Sequence, residues 1–110
     1  MKLPNGEKAI VDIVKLRDYC LSTQHPRGRY KARVFAAALG LSAKDAEVLR
    51  QALLDAARKE DAEATEQDDY GQRYVINFTF TGPSGQAGIR SSWIVRRGEE
   101  FPRLTSCYVL

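Results

Sequence analysis

The sequence predicts an α+β domain, with about three N-terminal helices followed by a three- to four-stranded antiparallel meander. Apolar residues recur at helical spacing in the first half of the chain, and from residue 74 onward they alternate with polar ones. Short turns rich in Gly and Pro separate the later apolar runs. Because 110 residues suffice for one core but not for two ordinary domains, we expect a single domain over residues 1–110.

The helical part is expected over about residues 10–60. Its core-facing residues are predicted to be Ile10, Ile13, Leu16 and Cys20 in the first helix, Tyr30, Val34, Phe35 and Ala38 in the second, and Ala46, Leu49, Leu53 and Ala57 in the third. Pro26 disfavours helical backbone at His25 and so separates the first two helices. Gly40 is a suitable end for the second helix, and Ser42 with Asp45 forms a capping box at the start of the third.

The sheet is expected over about residues 72–110. Strands are predicted at residues 74–80, 87–97 and 103–110, with turns at 82–85 and 98–102. A short strand over residues 8–11 would add a fourth, at one edge. Trp93 lies on the apolar face of its strand, so we expect it in the core.

Charge is unevenly distributed along the chain. The net charge is +3, but residues 60–69 hold six acids and no base, which leaves +9 on the rest. We interpret residues 60–69 as an acidic loop. The simpler interpretation is a solvated loop, and the alternative is a segment that folds over the basic face and mimics phosphate.

Several classes of function are disfavoured by composition. No apolar run approaches the roughly 20 residues that a membrane span needs, and the N-terminus lacks the apolar core of a signal peptide, so we expect no membrane partner and a cytoplasmic location. Cys20 and Cys107 lie far apart without CxxC spacing, which favours reduced core thiols. We therefore predict no metal and no cofactor.

One candidate anion-binding strip lies on the second predicted strand. Arg90, Ser92 and Arg96 share one face of that strand, and guanidinium groups with a nearby hydroxyl suit phosphate. A solvated outer face is the simpler alternative. On the last strand, Thr105 and Tyr108 have opposite parity, so they should point to opposite faces unless a bulge intervenes.

A second candidate site surrounds the one histidine of the chain. His25 is followed by a run of cations that includes Arg27, Arg29 and Lys31, at the start of a helix. Histidine titrates near neutrality, so His25 is the natural acid or base, and Lys31 could stabilise a developing charge on phosphate. A lone loop histidine is more often structural, and a cation run is more often a solvated helix start.

A resemblance to a known family rests on short motifs spread over nearly the whole chain. They are Leu3-Pro4-Asn5, Lys15-Leu16-Arg17-Asp18-Tyr19, His25-Pro26 with Gly28-Arg29, Lys31-Ala32 and Phe35, Thr81-Gly82-Pro83, and Pro102-Arg103-Leu104-Thr105 with Tyr108. With these motifs the chain resembles a family of small bacterial proteins of unknown function. Its layout is also similar to the barnase–EndoU–colicin–RelE group of RNA-cleaving toxins.

The similarity to the toxin group implies a set of roles. His25 would be the acid or base, Lys31 and Arg90 would bind and stabilise phosphate, and Thr105 and Tyr108 would complete the pocket. By the same resemblance, the cleavage would need no metal.

Three hypotheses of function follow. The first is a metal-independent ribonuclease that acts as the toxic member of a toxin–antitoxin or effector–immunity pair, with RNA as substrate. The second is a non-catalytic binding module, such as an immunity protein, an antitoxin or a subunit of a small complex, which meets a basic protein partner through residues 60–69. The third is a nucleic-acid-binding domain without cleavage.

Overall fold

The computed structural model describes residues 1–110 as three helices followed by a four-stranded antiparallel sheet. Helix α1 covers residues 13–20 (α-helical Ile13–Lys15, then π-helical Leu16–Cys20), α2 covers residues 29–39 (α-helical Arg29–Val34, then π-helical Phe35–Leu39), and α3 covers Ala46–Lys59 after a 3-10 turn at Ala43–Asp45. The strands are β1 (Glu63–Asp68), β2 (Gly71–Gly82), β3 (Gly85–Arg96) and β4 (Pro102–Val109), in the spatial order β1-β2-β3-β4. The predicted α+β class is confirmed.

The predicted boundary between α2 and α3 is confirmed by its hydrogen bonds. Gly40 has a left-handed φ of 71°, which glycine adopts without strain, and its amide donates to the carbonyl of Ala36 at 2.9 Å. The Ser42 amide donates to the Asp45 carboxylate at 2.9 Å, as a capping box requires. The two helices therefore end and begin where the sequence places the break.

The core-facing side of α2 differs from the prediction. Tyr30 is 60% exposed and Val34 is also exposed, while Ala32, Phe35 and Leu39 are buried. Spacings of three and four residues put those three side chains in one row that packs against the sheet. The Tyr30 ring stays in solvent, where the guanidinium groups of its helix neighbours contact it.

The position of the fourth strand also differs from the prediction. The expected acidic loop at residues 60–69 contains β1, whose side chains are all exposed. It pairs antiparallel with β2, and the Asp68 carboxylate fixes the turn between the strands by accepting the amides of Tyr70 and Gly71 at 2.9 and 3.2 Å. Residues 8–11 form no strand, and only a single bridge joins Ile10 to Arg103.

The core lies between the helices and one face of the sheet. Trp93 is fully buried there, as predicted, with Ile76, Ile89 and Leu104. Its indole N–H donates to the Ser91 hydroxyl at 2.9 Å, and that hydroxyl donates to the Ile76 carbonyl at 2.9 Å, so the buried polar groups are satisfied. The other face of the sheet carries no helix. None of the helices combines the length and the apolar character that a membrane span needs.

Candidate functional site

A bulge in β4 decides how its polar side chains are directed. Trp93 pairs with Leu104 and Ser92 pairs with Ser106, so Thr105 is an extra residue in the register. Its hydroxyl donates to the Ser92 carbonyl at 3.1 Å. A bulge shifts the alternation by one residue, so Thr105 joins Tyr108 on the side of the sheet away from the core. The sequence analysis placed Thr105 and Tyr108 on opposite faces unless a bulge intervened, and this bulge puts them on the same face.

Three of the predicted site residues form one cluster at the end of β4. Arg90 Nη1 donates to the Tyr108 hydroxyl at 3.3 Å, and Lys31 Nζ lies 5.1 Å from the centre of the Tyr108 ring. Arg90 Nε also donates to Asn77 Oδ1 at 3.0 Å, which fixes the plane of the guanidinium. We call Lys31, Arg90, Tyr108 and Asn77 the β4 cluster.

The β4 cluster holds two cations without a carboxylate partner. Neither Lys31 nor Arg90 takes part in an ion pair, whereas Arg73 and Arg103 elsewhere on the sheet are paired with Asp68 and Glu99. Arg90 keeps donor groups beyond those that its neutral partners Asn77 and Tyr108 occupy. The cluster is therefore suited to an anion, and phosphate is the anion that planar guanidinium groups bind best in pairs of hydrogen bonds.

A groove of about 560 Å³ lies between α1 and the bulge of β4, and no residue of the β4 cluster lines it. His25 and Thr105 line it together with Tyr19 and Lys15, and so do the carboxylates of Asp12 and Asp18. The Tyr19 and His25 rings meet edge to face, 4.6 Å apart between centres and inclined at 67°. Lys15 Nζ bonds the Thr105 carbonyl at 3.4 Å and so ties α1 to the strand.

The His25 side chain has a structural role that the sequence analysis did not assign. Its Nδ1 accepts the amides of Arg27 and Gly28 at 3.1 and 3.2 Å, and its carbonyl accepts the amide of Arg29 at 2.9 Å. These bonds make His25 the N-cap of the turn that leads into α2, with Pro26 in the position that proline favours. An accepting Nδ1 leaves the proton of the neutral ring on Nε2.

The structure places the predicted catalytic residues in two groups along β4, and it separates the predicted substrate-binding residues. Thr105 and Tyr108 lie about 10 Å apart along the strand, with His25 beside the first and Lys31 and Arg90 beside the second. Ser92 lies between these points, paired with Ser106.

The remaining arginines lie elsewhere. Arg96 is about 20 Å from Arg90 along β3, in a separate depression near Tyr70 and Arg73. Arg27 is exposed in the loop before α2. Arg29 donates to the Tyr30 hydroxyl at 3.1 Å and lies over that ring, outside the β4 cluster. A single strip that joins Arg90 and Arg96 is therefore not present.

Two features of this region were missed from the sequence. Asn77 faces Arg90 because of the β2–β3 register, which the predicted turn at residues 82–85 would have given. Cys20 and Cys107 are buried and free, as predicted, but they are not isolated, since both belong to the same core cluster, at the end of α1 and on β4. The neighbouring Cys107, with Lys15 and Lys31, lowers the pKa of the Cys20 thiol below its ordinary value.

The arrangement offers side-chain chemistry around an anion. No group of three or more His, Cys, Asp or Glu side chains has the geometry to hold a metal ion. Six side chains with suitable chemistry lie on or beside the β4 stretch from Thr105 to Tyr108. They are the Thr105 hydroxyl, the Tyr108 phenol, the His25 imidazole and the cations Lys15, Lys31 and Arg90.

Comparison with known proteins places the chain in a family. No curated protein matches it. A family match described as "Domain of unknown function (DUF6883)" covers residues 2–110, which is nearly the whole sequence and includes every residue of the β4 cluster and of the groove. The chain therefore belongs to the DUF6883 family of domains of unknown function.

Proposed function

We propose that this protein is a metal-independent ribonuclease that binds the RNA phosphodiester at the β4 cluster and acts as a toxin. The observation that carries the proposal is the pair of cations without carboxylate partners, Lys31 near the Tyr108 ring and Arg90 at its hydroxyl. A cluster of this kind attracts an anion, and the basic body of the chain attracts a polyanion.

The reaction that fits these residues is attack of a ribose 2′-hydroxyl on the adjacent phosphorus. The 2′-oxygen bonds to phosphorus and loses its proton to a base, while the bond to the 5′-oxygen breaks and that oxygen takes up a proton. The products are a 2′,3′-cyclic phosphate and a free 5′-hydroxyl. Negative charge grows on the phosphate oxygens during this step, and preorganised cations such as Lys31 and Arg90 stabilise it.

Proton transfer is assigned to Tyr108 and His25, because both side chains can donate and accept a proton. Tyr108 is already aligned by Arg90. His25 presents an Nε2–H donor in the tautomer whose Nδ1 accepts the Arg27 and Gly28 amides, so it can bind a phosphate oxygen directly. To act as the base, His25 would have to release Arg27 and Gly28, and this role is the part of the proposal that needs its own test.

The decisive experiment is cleavage of a short RNA by the purified protein in the presence of a metal chelator. We expect cyclic phosphate ends, and no cleavage of the same oligonucleotide when the nucleotide at the cut carries a 2′-deoxyribose. Lys31→Met and Arg90→Gln keep much of each side chain's bulk and remove its charge, so each should reduce the rate at least about 100-fold. Arg33→Gln, on the exposed side of α2, is the matched control.

The same variants test the toxin role in cells. Tightly induced expression of the intact protein should arrest growth and fragment total RNA, and Lys31→Met should abolish both effects. Intact RNA and normal growth with the unmodified protein, together with no cleavage in vitro, would contradict the proposal. Binding of RNA without cleavage, steeply weakened by salt, would favour a nucleic-acid-binding domain instead.

A second candidate function is a protein-binding module that acts through β1. The observation in its favour is that β1 is a sheet edge with every side chain exposed, and that it carries Glu63, Glu66 and Asp68. Such an edge can add a basic strand from a partner, such as a cognate toxin or antitoxin. Glu63→Gln with Glu66→Gln would weaken that binding, whereas it should leave or improve RNA binding under the first proposal.

A further inference from the structure

We infer that a depression on the open face of the sheet, the face that carries no helix, is a second subsite for single-stranded RNA. A base stacks there on the Tyr70 ring, and a phosphate meets the Arg96 guanidinium. The depression has a volume of about 230 Å³ and is lined by Tyr70, Arg73, Ile94, Arg96 and Thr105. The inference rests on the proposed function, because it concerns the same RNA strand away from the cleaved phosphate.

Tyr70 is an exposed aromatic residue whose backbone is held on both sides. It is 73% exposed, more than any other exposed large apolar residue of the chain. Its amide donates to the Asp68 carboxylate at 2.9 Å, and its carbonyl accepts the Arg97 amide at 2.8 Å. The ring gains little from packing in the folded chain, and a fixed backbone reduces the entropy that a ligand loses on binding it. The ring is therefore available to a ligand.

The other strongly exposed tyrosine, Tyr30, differs in what contacts its ring. The guanidinium groups of Arg29 and Arg33 lie 4.9 and 5.6 Å from the centre of the Tyr30 ring. No cation and no second aromatic ring contacts the Tyr70 ring in this way. Base stacking needs an unoccupied ring face, so Tyr70 is the tyrosine that suits it.

Ile94 gives the depression an apolar floor. It follows the core residue Trp93 and so points to the open face, yet it is only 5% exposed. Its cross-strand partners are Arg73 on β2 and Arg103 on β4. Arginine stems cover apolar surface while their charged ends stay in water. An apolar floor with a charged rim suits a base joined to a phosphate.

Arg96 supplies the charge of the subsite. It takes part in no ion pair and no side-chain hydrogen bond, and its cross-strand partner is Gly71, so no side chain of β2 lies opposite it. The carboxylates in this region are already bonded to other arginines: Asp68 accepts at 3.1 Å, and Glu99 accepts two bonds at 2.9 and 3.0 Å. The guanidinium of Arg96 therefore keeps its donors for a phosphate.

The depression and the β4 cluster are separate sites that one strand of RNA can span. The alternate residues of β3 that face away from the core are Arg90, Ser92, Ile94 and Arg96. About 20 Å separates the first from the last, at roughly 3.3 Å per residue. Thr105 lines both the depression and the groove between α1 and β4. Because a stacked nucleotide advances about 3.4 Å, about six nucleotides cover this distance. A dinucleotide reaches only one of the two sites.

The test of the subsite measures binding without cleavage. The probe is a labelled RNA of about ten nucleotides whose 2′-oxygens are methylated, so that the proposed reaction cannot occur, and fluorescence anisotropy gives its Kd. Tyr70→Ala should weaken binding at least about fivefold, whereas Tyr70→Phe keeps the ring and should keep the affinity. Arg96→Gln should weaken binding and reduce the slope of log affinity against log salt by about one. Tyr30→Ala is the matched control and should bind as the unmodified protein does.

Cleavage of a dinucleotide separates the subsite from the proposed reaction. Tyr70→Ala should cleave a dinucleotide at the unmodified rate but cleave an unmethylated RNA of about ten nucleotides with a lower kcat/KM. Binding of the methylated RNA that depends on Tyr70, without cleavage of either substrate, would contradict the ribonuclease and support the subsite. The subsite would be overturned if the unmodified protein did not bind the methylated RNA, or if Tyr70→Ala bound it equally well. Normal cleavage in that second case would leave the ribonuclease standing.

Discussion

The two edge strands of the sheet differ in what covers them. The outer edge of β4 is covered by the N-terminal segment, because the Ile10 amide donates to the Pro102 carbonyl at 2.9 Å and the Leu104 amide donates to the Ile10 carbonyl at 3.0 Å. The outer edge of β1 is open, and all of its side chains are exposed. The edge of β4 is therefore covered by the N-terminal segment, whereas the edge of β1 is exposed to solvent.

This difference explains why the candidate site lies at β4 and not at β1. Side chains near β4 are held from two directions: Lys15 and Lys31 reach it from helices, and Arg90 reaches it from the next strand. Fixed positions are what preorganised electrostatic stabilisation requires. The charged side chains of β1 are exposed to solvent and are not held in this way.

The largest expected effect comes from replacing Arg90, the cation of the β4 cluster that lies on the strand next to β4. Arg90→Lys should reduce RNA cleavage, even though it keeps the positive charge, because the ammonium cannot bond Asn77, Tyr108 and a phosphate in one plane. We expect a loss of at least about tenfold, and about 100-fold for Arg90→Gln. Steady-state cleavage of a defined RNA measures both rates.

The matched change at the other edge is Glu63→Gln with Glu66→Gln. If cleavage depends on β4 alone, this double variant should cleave RNA at the unmodified rate or faster. Any increase in rate should become smaller as the ionic strength rises, because salt screens exposed charges. A loss as large as that of Arg90→Gln would contradict the contrast between the two edges.

The second expected effect concerns the close approach of α1 and α2 beside the groove. A Cβ on Gly28 would lie 2.3 Å from the Tyr19 carbonyl oxygen, a backbone atom that cannot move aside. Gly28→Ala should therefore reduce the free energy of unfolding by about 1–3 kcal/mol, as overpacking does elsewhere. Urea unfolding followed by Trp93 fluorescence measures the change.

Gly88→Ala is the control for Gly28→Ala. The nearest atom to a Cβ on Gly88 is Leu110 Cδ1 at 3.2 Å, at the end of an exposed side chain that can rotate away. Its effect should be small. Equal losses of stability at the two positions would show that the Gly28 contact does not fix the start of α2.

The third expected effect separates the capping role of His25 from a role in proton transfer. In His25→Ala both capping bonds are lost, so the free energy of unfolding should fall by about 1 kcal/mol. In His25→Asn the side-chain oxygen can accept the same amides, so stability should be kept while the titrating ring is lost. Urea midpoints and RNA cleavage rates are measured on both variants.

Cleavage by the stable His25→Asn variant decides the question. A large loss of rate would assign His25 to substrate binding or proton transfer. A rate close to that of the unmodified protein would show that His25 only caps the turn before α2, and Tyr108 would then be the proton donor.

Most of the fold could be predicted from the sequence because its signals are local. Gly40, Ser42 and Asp45 mark a helix boundary through their own backbone bonds, and the alternation around Ile76 marks a half-buried strand. β1 could not be found in this way. An entirely exposed strand has no apolar alternation, so its formation depends on pairing with β2 and on the turn at Asp68.

The candidate site was predictable in its residue types but not in its arrangement. Arg90 and Tyr108 were recognisable as polar residues on strands, whereas their contact depends on the β3–β4 register and on the bulge at Thr105. The cap at His25 had a usable signal, since proline favours the position after an N-cap. The shared burial of Cys20 and Cys107 in one core cluster had none, because it joins distant parts of the chain.

The smallest expected effect lies at the open edge and depends on pH. The amide of Tyr70, bonded at 2.9 Å, and the Arg73 guanidinium, bonded at 3.1 Å, lower the pKa of Asp68 below its ordinary value. A carboxyl with a lower pKa in the folded state stabilises the fold fully above its unfolded pKa of about 3.9, and this stabilisation is lost as the pH falls through the folded pKa. The stability of the unmodified protein should therefore decrease in this acid range.

Asp68→Asn tests this edge, because an amide oxygen can still accept the Tyr70 and Gly71 bonds but carries no charge and does not titrate. The variant should be slightly less stable than the unmodified protein at pH 7, and the two should converge as the pH falls below about 4. Thermal midpoints measured from pH 7 to 2 give both curves, with Glu63→Gln as a control, since that exposed carboxylate makes no side-chain hydrogen bond. A constant difference at every pH would show that the turn, and not the charge, is what Asp68 contributes to β1.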